Sequence, residues 1–117
     1  MGRITTHVLD TANGRPGAGI WVDLFRIEGE ARRHLVSVPT NADGRCDRPL
    51  LEDAALTAGV YELVFHVAEY FRARGAALPE PAFLGDVVVR FGVADAGAHY
   101  HVPLLAAPWG YSTYRGS

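Results

Sequence analysis

Turn-forming residues recur at short intervals along the whole chain. Examples are the pairs Asn13-Gly14, Asp43-Gly44, Ala58-Gly59, Gly85-Asp86 and Ala96-Gly97. These residue types favour the backbone conformations that reverse a chain. Between the turns lie runs rich in β-branched and aromatic residues, at 4–10, 19–28, 34–39, 59–68, 86–94, 98–106 and 110–116. Short runs of this kind, separated by regular turns, predict an all-β fold, an antiparallel β-sandwich.

Within these runs the apolar residues alternate, as they do in a strand with one buried face. Two sets are predicted to share a face: Tyr61, Leu63, Phe65 and Val67 in one strand, and Val87, Val89 and Phe91 in another. One segment departs from this pattern. Glu69–Arg74 has helical spacing and is followed by Gly75, a residue that commonly ends a helix. The prolines in 76–82 predict a loop after it.

Length and composition restrict the classes of protein that the chain can belong to. The 117 residues suffice for one domain, spanning 1–117, with a single core. A net charge of -2 provides no basic surface for nucleic acid, and no apolar run is long enough for a bilayer. The segment Met1–Ile4 lacks the apolar stretch of a signal peptide, so we expect a cytoplasmic protein.

The residue inventory excludes several kinds of chemistry. All eleven basic residues are arginines, so no lysine can form a Schiff base. The single cysteine, Cys46, rules out an intrachain disulfide and a cysteine-rich metal site. No glycine-rich phosphate loop is present, and no serine stands in the strand–turn–helix setting of a nucleophile elbow. The remaining chemistry must come from histidine, carboxylates, arginine, hydroxyls or backbone dipoles.

Three histidines lie in predicted strands close to other candidate residues. His99 and His101 are two residues apart, so they share one strand face, about 6.6 Å apart along the backbone. A His-x-His pair on a strand can chelate a metal. It lacks a cysteine cluster or an acidic residue on the same face, so acid–base or hydrogen-bonding roles are favoured over a metal. His7 stands in the first strand, whereas His34 and His66 fit structural roles.

The carboxyl-terminal segment is unusual for a chain end, which is normally polar and frayed. It carries an apolar run and then Tyr114-Arg115-Gly116-Ser117. Such an aromatic end suggests that the terminus lies inside a site. Arg45 follows the turn Asn41–Gly44, so its guanidinium is predicted to emerge at the start of a strand, either in a site or simply in solvent.

Three separated segments together resemble one family, the 5-hydroxyisourate hydrolases, which are transthyretin-related. The segments are Thr5–Asp10, Asn41–Arg45 and His99–Ser117, the last with its terminal Tyr-Arg-Gly-Ser tetrapeptide. The resemblance implies a transthyretin-like sandwich of two four-stranded sheets with one short helix. It also implies a homotetramer with its sites in a channel between subunit pairs.

The resemblance further implies an activity and a set of site residues. Members open 5-hydroxyisourate with water, giving 2-oxo-4-hydroxy-4-carboxy-5-ureidoimidazoline in urate catabolism, with neither a cofactor nor a metal. The family's catalytic residues correspond to His7, Arg45 and His101, with one histidine activating water and Arg45 stabilising the oxyanion. The terminal Tyr114, Arg115 and Ser117 correspond to substrate-binding residues. Which histidine is the base stays open at this point.

Two other functions are compatible with parts of the same pattern. A non-catalytic carrier, as in transthyretin itself, would share the fold, but it would be expected to lack the histidines, the arginine and the terminal tetrapeptide. A metal-dependent hydrolase built on His99 and His101 would lose its activity in a chelator.

Overall fold

The computed structural model describes residues 1–117, which form nine strands and one α-helix. The strands are β1 Arg3–Asp10, β2 Arg15–Pro16, β3 Trp21–Glu28, β4 Ala31–Pro39, β5 Leu51–Glu52, β6 Gly59–Phe65, β7 Val87–Val93, β8 His99–Ala107 and β9 Gly110–Thr113. The helix α1 is Val67–Ala73, and a short 3-10 turn covers Asp53–Ala55. No helix is long and apolar enough to cross a membrane.

The strands form two sheets, which confirms the expected all-β sandwich. One sheet has the order β2-β1-β8-β9, with the short β5 also paired to β1, and the other has the order β4-β3-β6-β7. All pairs are antiparallel except β1 and β8, which run parallel. The sequence predicts only antiparallel pairing, so this pair departs from the prediction. The chain crosses to the other sheet between these two strands and re-enters the first sheet from the same end.

The core lies between the two sheets and is formed by the inward-facing side chains of their strands. Tyr61, Leu63 and Phe65 of β6 are almost completely buried, as their spacing predicts. Ile4 and Val8 of β1 meet them from the other sheet. Burial of apolar surface on this scale is the main favourable term in folding. It leaves the outward faces of the strands available for other chemistry.

The single helix begins earlier than the sequence predicts. It starts at Val67 rather than at 69, so Val67 is buried in the first helical turn and not on β6. Arg74 ends it, followed by Gly75 at φ +91. The carboxyl-terminal strand is also shorter than the predicted 110–116, because β9 ends at Thr113. Only Gly116 pairs again, in an isolated bridge to His101.

Candidate active site

The parallel pairing of β1 and β8 brings four polar side chains onto one outward face. In this register Arg3 lies opposite His99 and Thr5 lies opposite His101. Even-numbered residues of both strands point into the core, so Thr5, His7, His99 and His101 all point away from it. The hydrogen-bonded residues of the two strands lie 94 to 96 positions apart in the sequence. The site therefore exists only because the sheet pairs them.

These four side chains form one continuous chain of hydrogen bonds. His7 Nδ1 lies 2.7 Å from His101 Nε2, and the two rings stack with centroids 4.9 Å apart. On its other side, His101 Nδ1 lies 2.7 Å from Thr5 Oγ1. The same hydroxyl is 2.7 Å from His99 Nε2. His99 and His101 thus share a face, as predicted, but a threonine hydroxyl links them.

A tight loop presents Arg45 next to this chain. The side-chain oxygen of Asn41 accepts hydrogen bonds from the N–H groups of Asp43 and Arg45, which closes the turn. Gly44 has φ +75, and a Cβ there would lie 2.5 Å from the Val8 carbonyl oxygen. Only glycine allows this loop to lie directly on β1. Arg45 then pairs with His7 in a β-bridge, with its side chain exposed.

The chain terminus lies directly against His101. The N–H of Gly116 donates to the His101 carbonyl at 2.7 Å. A Cβ on Gly116 would lie 2.7 Å from His101 Cδ2, closer than real Cβ contacts. Ser117 then borders an open cleft of about 250 Å³. Other residues bordering this cleft include Arg3, Arg45, Arg48, His99 and His101.

The cationic surroundings keep the three imidazoles neutral. Burial, and then the charge of Arg45, lower the pKa of His7. Burial, followed by the charges of His7, Arg45 and His99, lowers the pKa of His101 to about 4. The pKa of His99 is lowered by burial and then by Arg3 and Arg115. A neutral imidazole accepts protons, so the site can supply a base at neutral pH.

The cysteine at the same cleft, Cys46, is not suited to act as a nucleophile. Cys46 is half-buried, and burial, followed by the charge of Asp47, raises the pKa of its thiol to about 11. The thiol is therefore protonated at neutral pH, in which form it is a poor nucleophile. No group of three or more His, Cys, Asp or Glu side chains is arranged to hold a metal ion.

Comparison with known proteins assigns this arrangement to a family. The model of the HIUase/Transthyretin family matches residues 4–116. The chain belongs to this family. Among curated members, the "5-hydroxyisourate hydrolase" of Ralstonia nicotianae is 63% identical over 117 residues, covering 100% of both chains.

Solved structures agree with this assignment. The 5-hydroxyisourate hydrolase of Klebsiella pneumoniae is 35% identical, has a TM-score of 0.83, and the match covers 100% of both chains. Sea bream transthyretin, solved in complex with thyroxine, is 22% identical with a TM-score of 0.87, and covers 97% of this chain and 94% of its own. At that identity the transthyretin likeness shows the fold alone.

The structure brings together some of the residues that the family resemblance implied. His7, Arg45, His101 and the terminal Ser117 meet around the β1–β8 face. Arg45, His101 and Ser117 border the same cleft, and His7 joins them through its contact with His101 and its bridge to Arg45. Their catalytic roles remain a prediction.

Tyr114 and Arg115 lie elsewhere in the single chain. The guanidinium of Arg115 donates to the His99 carbonyl at 3.1 Å and lies 4.3 Å from the centre of the Tyr100 ring. With the exposed Tyr114 it borders a second cleft of about 330 Å³, which includes Phe91 and Val102. Both residues therefore border this second cleft, and the charge of Arg115 also acts on His99.

Sequence reasoning did not single out Thr5, and it favoured an acid–base or hydrogen-bonding role for the pair His99 and His101 without naming His99 among the catalytic residues. Thr5 belongs to the Thr5–Asp10 segment, but nothing local distinguishes its hydroxyl from that of Thr6. Thr6 in fact donates to the Val102 carbonyl at 2.6 Å in the core. Adjacent residues of a strand point to opposite faces of the sheet, so Thr6 faces the core and Thr5 faces outward. Thr5 then meets the histidines of β8, a strand that is distant in the sequence.

Proposed function

We propose that this protein hydrolyses 5-hydroxyisourate to 2-oxo-4-hydroxy-4-carboxy-5-ureidoimidazoline, a step in the breakdown of urate. The observation that carries the proposal is the hydrogen-bonded pair His7–His101, kept neutral beside Arg45 at an open polar cleft. Full-length relatives of this family bear the name of this hydrolase, at identities up to 63%. Hydrolysis of a cyclic amide needs a base for water and a cation for the oxyanion, and this cleft offers both.

The hydrogen-bond pattern indicates which histidine is the base. Both ring nitrogens of His101 are engaged, one by His7 and one by Thr5. His7 uses only Nδ1, so its Nε2 is available to a water molecule. We therefore assign His7 as the general base and His101 as the residue that holds its ring in the correct tautomer. This division of labour follows the general logic of an oriented imidazole.

The reaction can be written with these groups. Water attacks the ring carbonyl while His7 Nε2 takes one of its protons, and the electron pair moves onto the carbonyl oxygen. The guanidinium of Arg45 stabilises this oxyanion. The oxyanion then collapses, the C–N bond breaks, and His7 returns the proton to the departing nitrogen. The new carboxyl group ionises, which leaves a carboxylate, an N–H group and one proton.

The terminal residues would serve substrate binding in two ways. Ser117 borders the catalytic cleft, so its hydroxyl can orient polar edges of the substrate. Arg115 anchors the tail through the His99 carbonyl and the Tyr100 ring, next to Tyr114. We propose that these two residues act by placing Ser117, and by completing the site within a homotetramer.

A homotetramer is proposed on the surface composition as well as on the family. Several large apolar side chains are exposed in the single chain: Leu9, Trp21, Val60, Phe83, Val88, Trp109, Tyr111 and Tyr114. Exposed apolar side chains in such number mark contact surfaces in soluble proteins. Closed symmetric assembly is the usual way to cover them.

The test is the decay of freshly generated 5-hydroxyisourate, followed by ultraviolet absorbance with and without the protein, with a chelator present throughout. We expect decay well above the spontaneous rate. His101→Ala and Arg45→Ala should each lower kcat/KM by about 10²-fold or more, because an oriented base or an oxyanion donor is lost. Matched controls are His34→Ala and Arg33→Ala, which lie on the opposite sheet and should retain the wild-type rate.

Other outcomes would overturn the proposal. Decay at the spontaneous rate, from a protein shown to be folded, would favour the non-catalytic carrier. Activity that appears only when the chelator is omitted would favour the metal-dependent hydrolase. Wild-type activity in both site variants would remove the assigned roles of Arg45 and His101.

A further inference from the structure

The hydroxyl of Thr5 contacts two histidines but has no role in the reaction proposed above. It lies 2.7 Å from a ring nitrogen of His101 and 2.7 Å from a ring nitrogen of His99. We propose that Thr5 joins His101 to His99 in a proton relay, which carries a proton from His7 to solvent when water is deprotonated and back again when the departing nitrogen is protonated. The relay rests on the proposed hydrolase function.

The donors and acceptors of the relay are fixed, because each hydrogen bond contains one hydrogen and each neutral imidazole carries one N–H. If His7 Nε2 is to accept a proton from water, its hydrogen must sit on Nδ1 and be donated to His101 Nε2. His101 must then carry its hydrogen on Nδ1 and donate it to Thr5 Oγ1. The Thr5 hydroxyl in turn donates to His99 Nε2. All donors therefore point from the base towards His99.

A proton that reaches His7 can leave along this chain without any group moving. As His7 Nε2 takes the proton, its Nδ1 hydrogen passes to His101 Nε2. The His101 Nδ1 hydrogen passes to Thr5, and the original Thr5 hydrogen passes to His99 Nε2. His7, His101 and Thr5 end neutral, and His99 becomes an imidazolium. Release of the His99 Nδ1 hydrogen to water then completes the export.

One turnover sends a proton out along this route and brings one back. After export every hydrogen in the chain is reversed, so His7 carries a hydrogen on Nε2 and none on Nδ1. When His7 Nε2 gives that hydrogen to the departing nitrogen, each hydrogen of the chain moves back one place and His99 Nδ1 takes a proton from water. The chain then has its starting arrangement, and His7 Nε2 can act as a base again. The net proton of hydrolysis is the one lost when the new carboxyl group ionises.

His99 is suited to be the exit. Its side chain is only partly buried, and Nδ1 has no hydrogen bond within the protein. The charges of Arg3 and Arg115 favour loss of the proton from His99 once it has arrived. The charged side chains around the relay are Arg3 on β1, Arg45, Asp47 and Arg48 on the loop before β5, and Arg115 after β9.

Thr5 and His99 act through His101 and His7, so they are positioning residues rather than catalytic ones. Thr5→Val has nearly the same shape but no hydroxyl, and it breaks the relay at one point. We expect kcat to fall by about tenfold or more, with KM little changed, which is less than the ~10²-fold lost when a general base itself is removed. Thr5→Ser should restore kcat. Thr11→Val removes a hydroxyl that contacts only the Ala106 carbonyl and should have no effect.

A second readout separates a relay from a structural role. With the relay cut, the proton on His7 must leave by direct transfer to buffer. The rate of Thr5→Val should therefore rise with imidazole concentration at constant ionic strength and pH, whereas the wild-type rate should not. His99→Gln, which changes a partly exposed residue and cannot carry the proton, should show the same buffer dependence.

The outcomes distinguish failure of the relay from failure of the function. If the wild type does not accelerate hydrolysis, the hydrolase proposal fails and the relay with it. If the wild type is active and Thr5→Val or His99→Gln matches its kcat without buffer dependence, the relay alone is wrong. Equal losses in Thr5→Val and Thr5→Ser would likewise overturn it, because serine keeps the hydroxyl.

Discussion

At the scale of single residues, two glycines determine how closely other segments approach the histidines. Gly44 lets the Arg45 loop lie on β1, and Gly116 lets the terminus lie on His101. In both places a Cβ would come within 3.0 Å of a neighbouring atom. Each glycine is therefore required by close approach, and Gly44 also by its positive φ.

We expect Gly116→Ala to impair catalysis while leaving the fold intact. The added methyl group would push the tail away from His101 and displace Ser117 from the cleft, and misplacement of about 1 Å can cost up to about 10²-fold in rate. We therefore expect kcat/KM to fall by roughly tenfold to a hundredfold, with little change in Tm. Gly110→Ala is the matched control, since nothing lies within 4 Å of a Cβ there. Unchanged kinetics in Gly116→Ala would show that the tail position does not matter.

At the scale of elements, buried polar contacts tie the helix and strands together away from the site. Asp10 at the end of β1 is 1% exposed and accepts 2.7 Å hydrogen bonds from the Tyr70 hydroxyl on α1 and the Asn13 side chain. Burial alone would raise the pKa of Asp10, but these hydrogen bonds outweigh it and the pKa is lowered. Asp10 belongs to a segment that carries the family resemblance, and in the structure its role is to join β1 to α1.

A second contact of this kind makes stability depend on pH. His66, just before α1, lies 2.7 Å from Asp23 of β3 and 2.9 Å from Asp86 just before β7. Burial alone would lower the pKa of His66, but the two carboxylates outweigh it and raise the pKa above 6.5. The folded state therefore binds the proton more tightly than the unfolded state. The stabilisation is fully present below pH 6.5 and is lost as the pH rises through the raised pKa.

We expect His66→Gln to remove this dependence. Thermal unfolding at fixed protein concentration should show a Tm difference between wild type and variant that is a few degrees wider at pH 6 than at pH 9. A Tm difference for His66→Gln that is constant with pH would contradict the assignment.

At the scale of the whole molecule, the exposed apolar side chains and the open site fit the proposed homotetramer. Tyr114 borders a cleft at the open edge of the sandwich, and Trp109 stacks on Phe83 at the surface with ring centroids 5.8 Å apart. Such side chains are costly to leave in water. Subunit contact would bury them and narrow the shallow catalytic cleft.

We expect sedimentation analysis at micromolar concentration to give a species of four times the 12.7 kDa chain mass. The tetramer should persist in moderately high salt, because apolar contacts are not screened. A monomer that retains full activity would contradict both the assembly and its proposed role in completing the site.

The sequence by itself determined the kind of fold and most of the residues at the site. Alternation and turn residues depend only on neighbours in the chain, so they indicated the sandwich, the inward face of β6 and a helix near Tyr70. The tertiary structure decided the parallel pairing of β1 and β8, and with it the contacts of Thr5, His7, His99 and His101. That register is set by burial between segments far apart in the chain, which local pattern does not encode. For the same reason only the tertiary structure showed that Gly116 lies against His101, while the guanidinium of Arg115 contacts the His99 carbonyl.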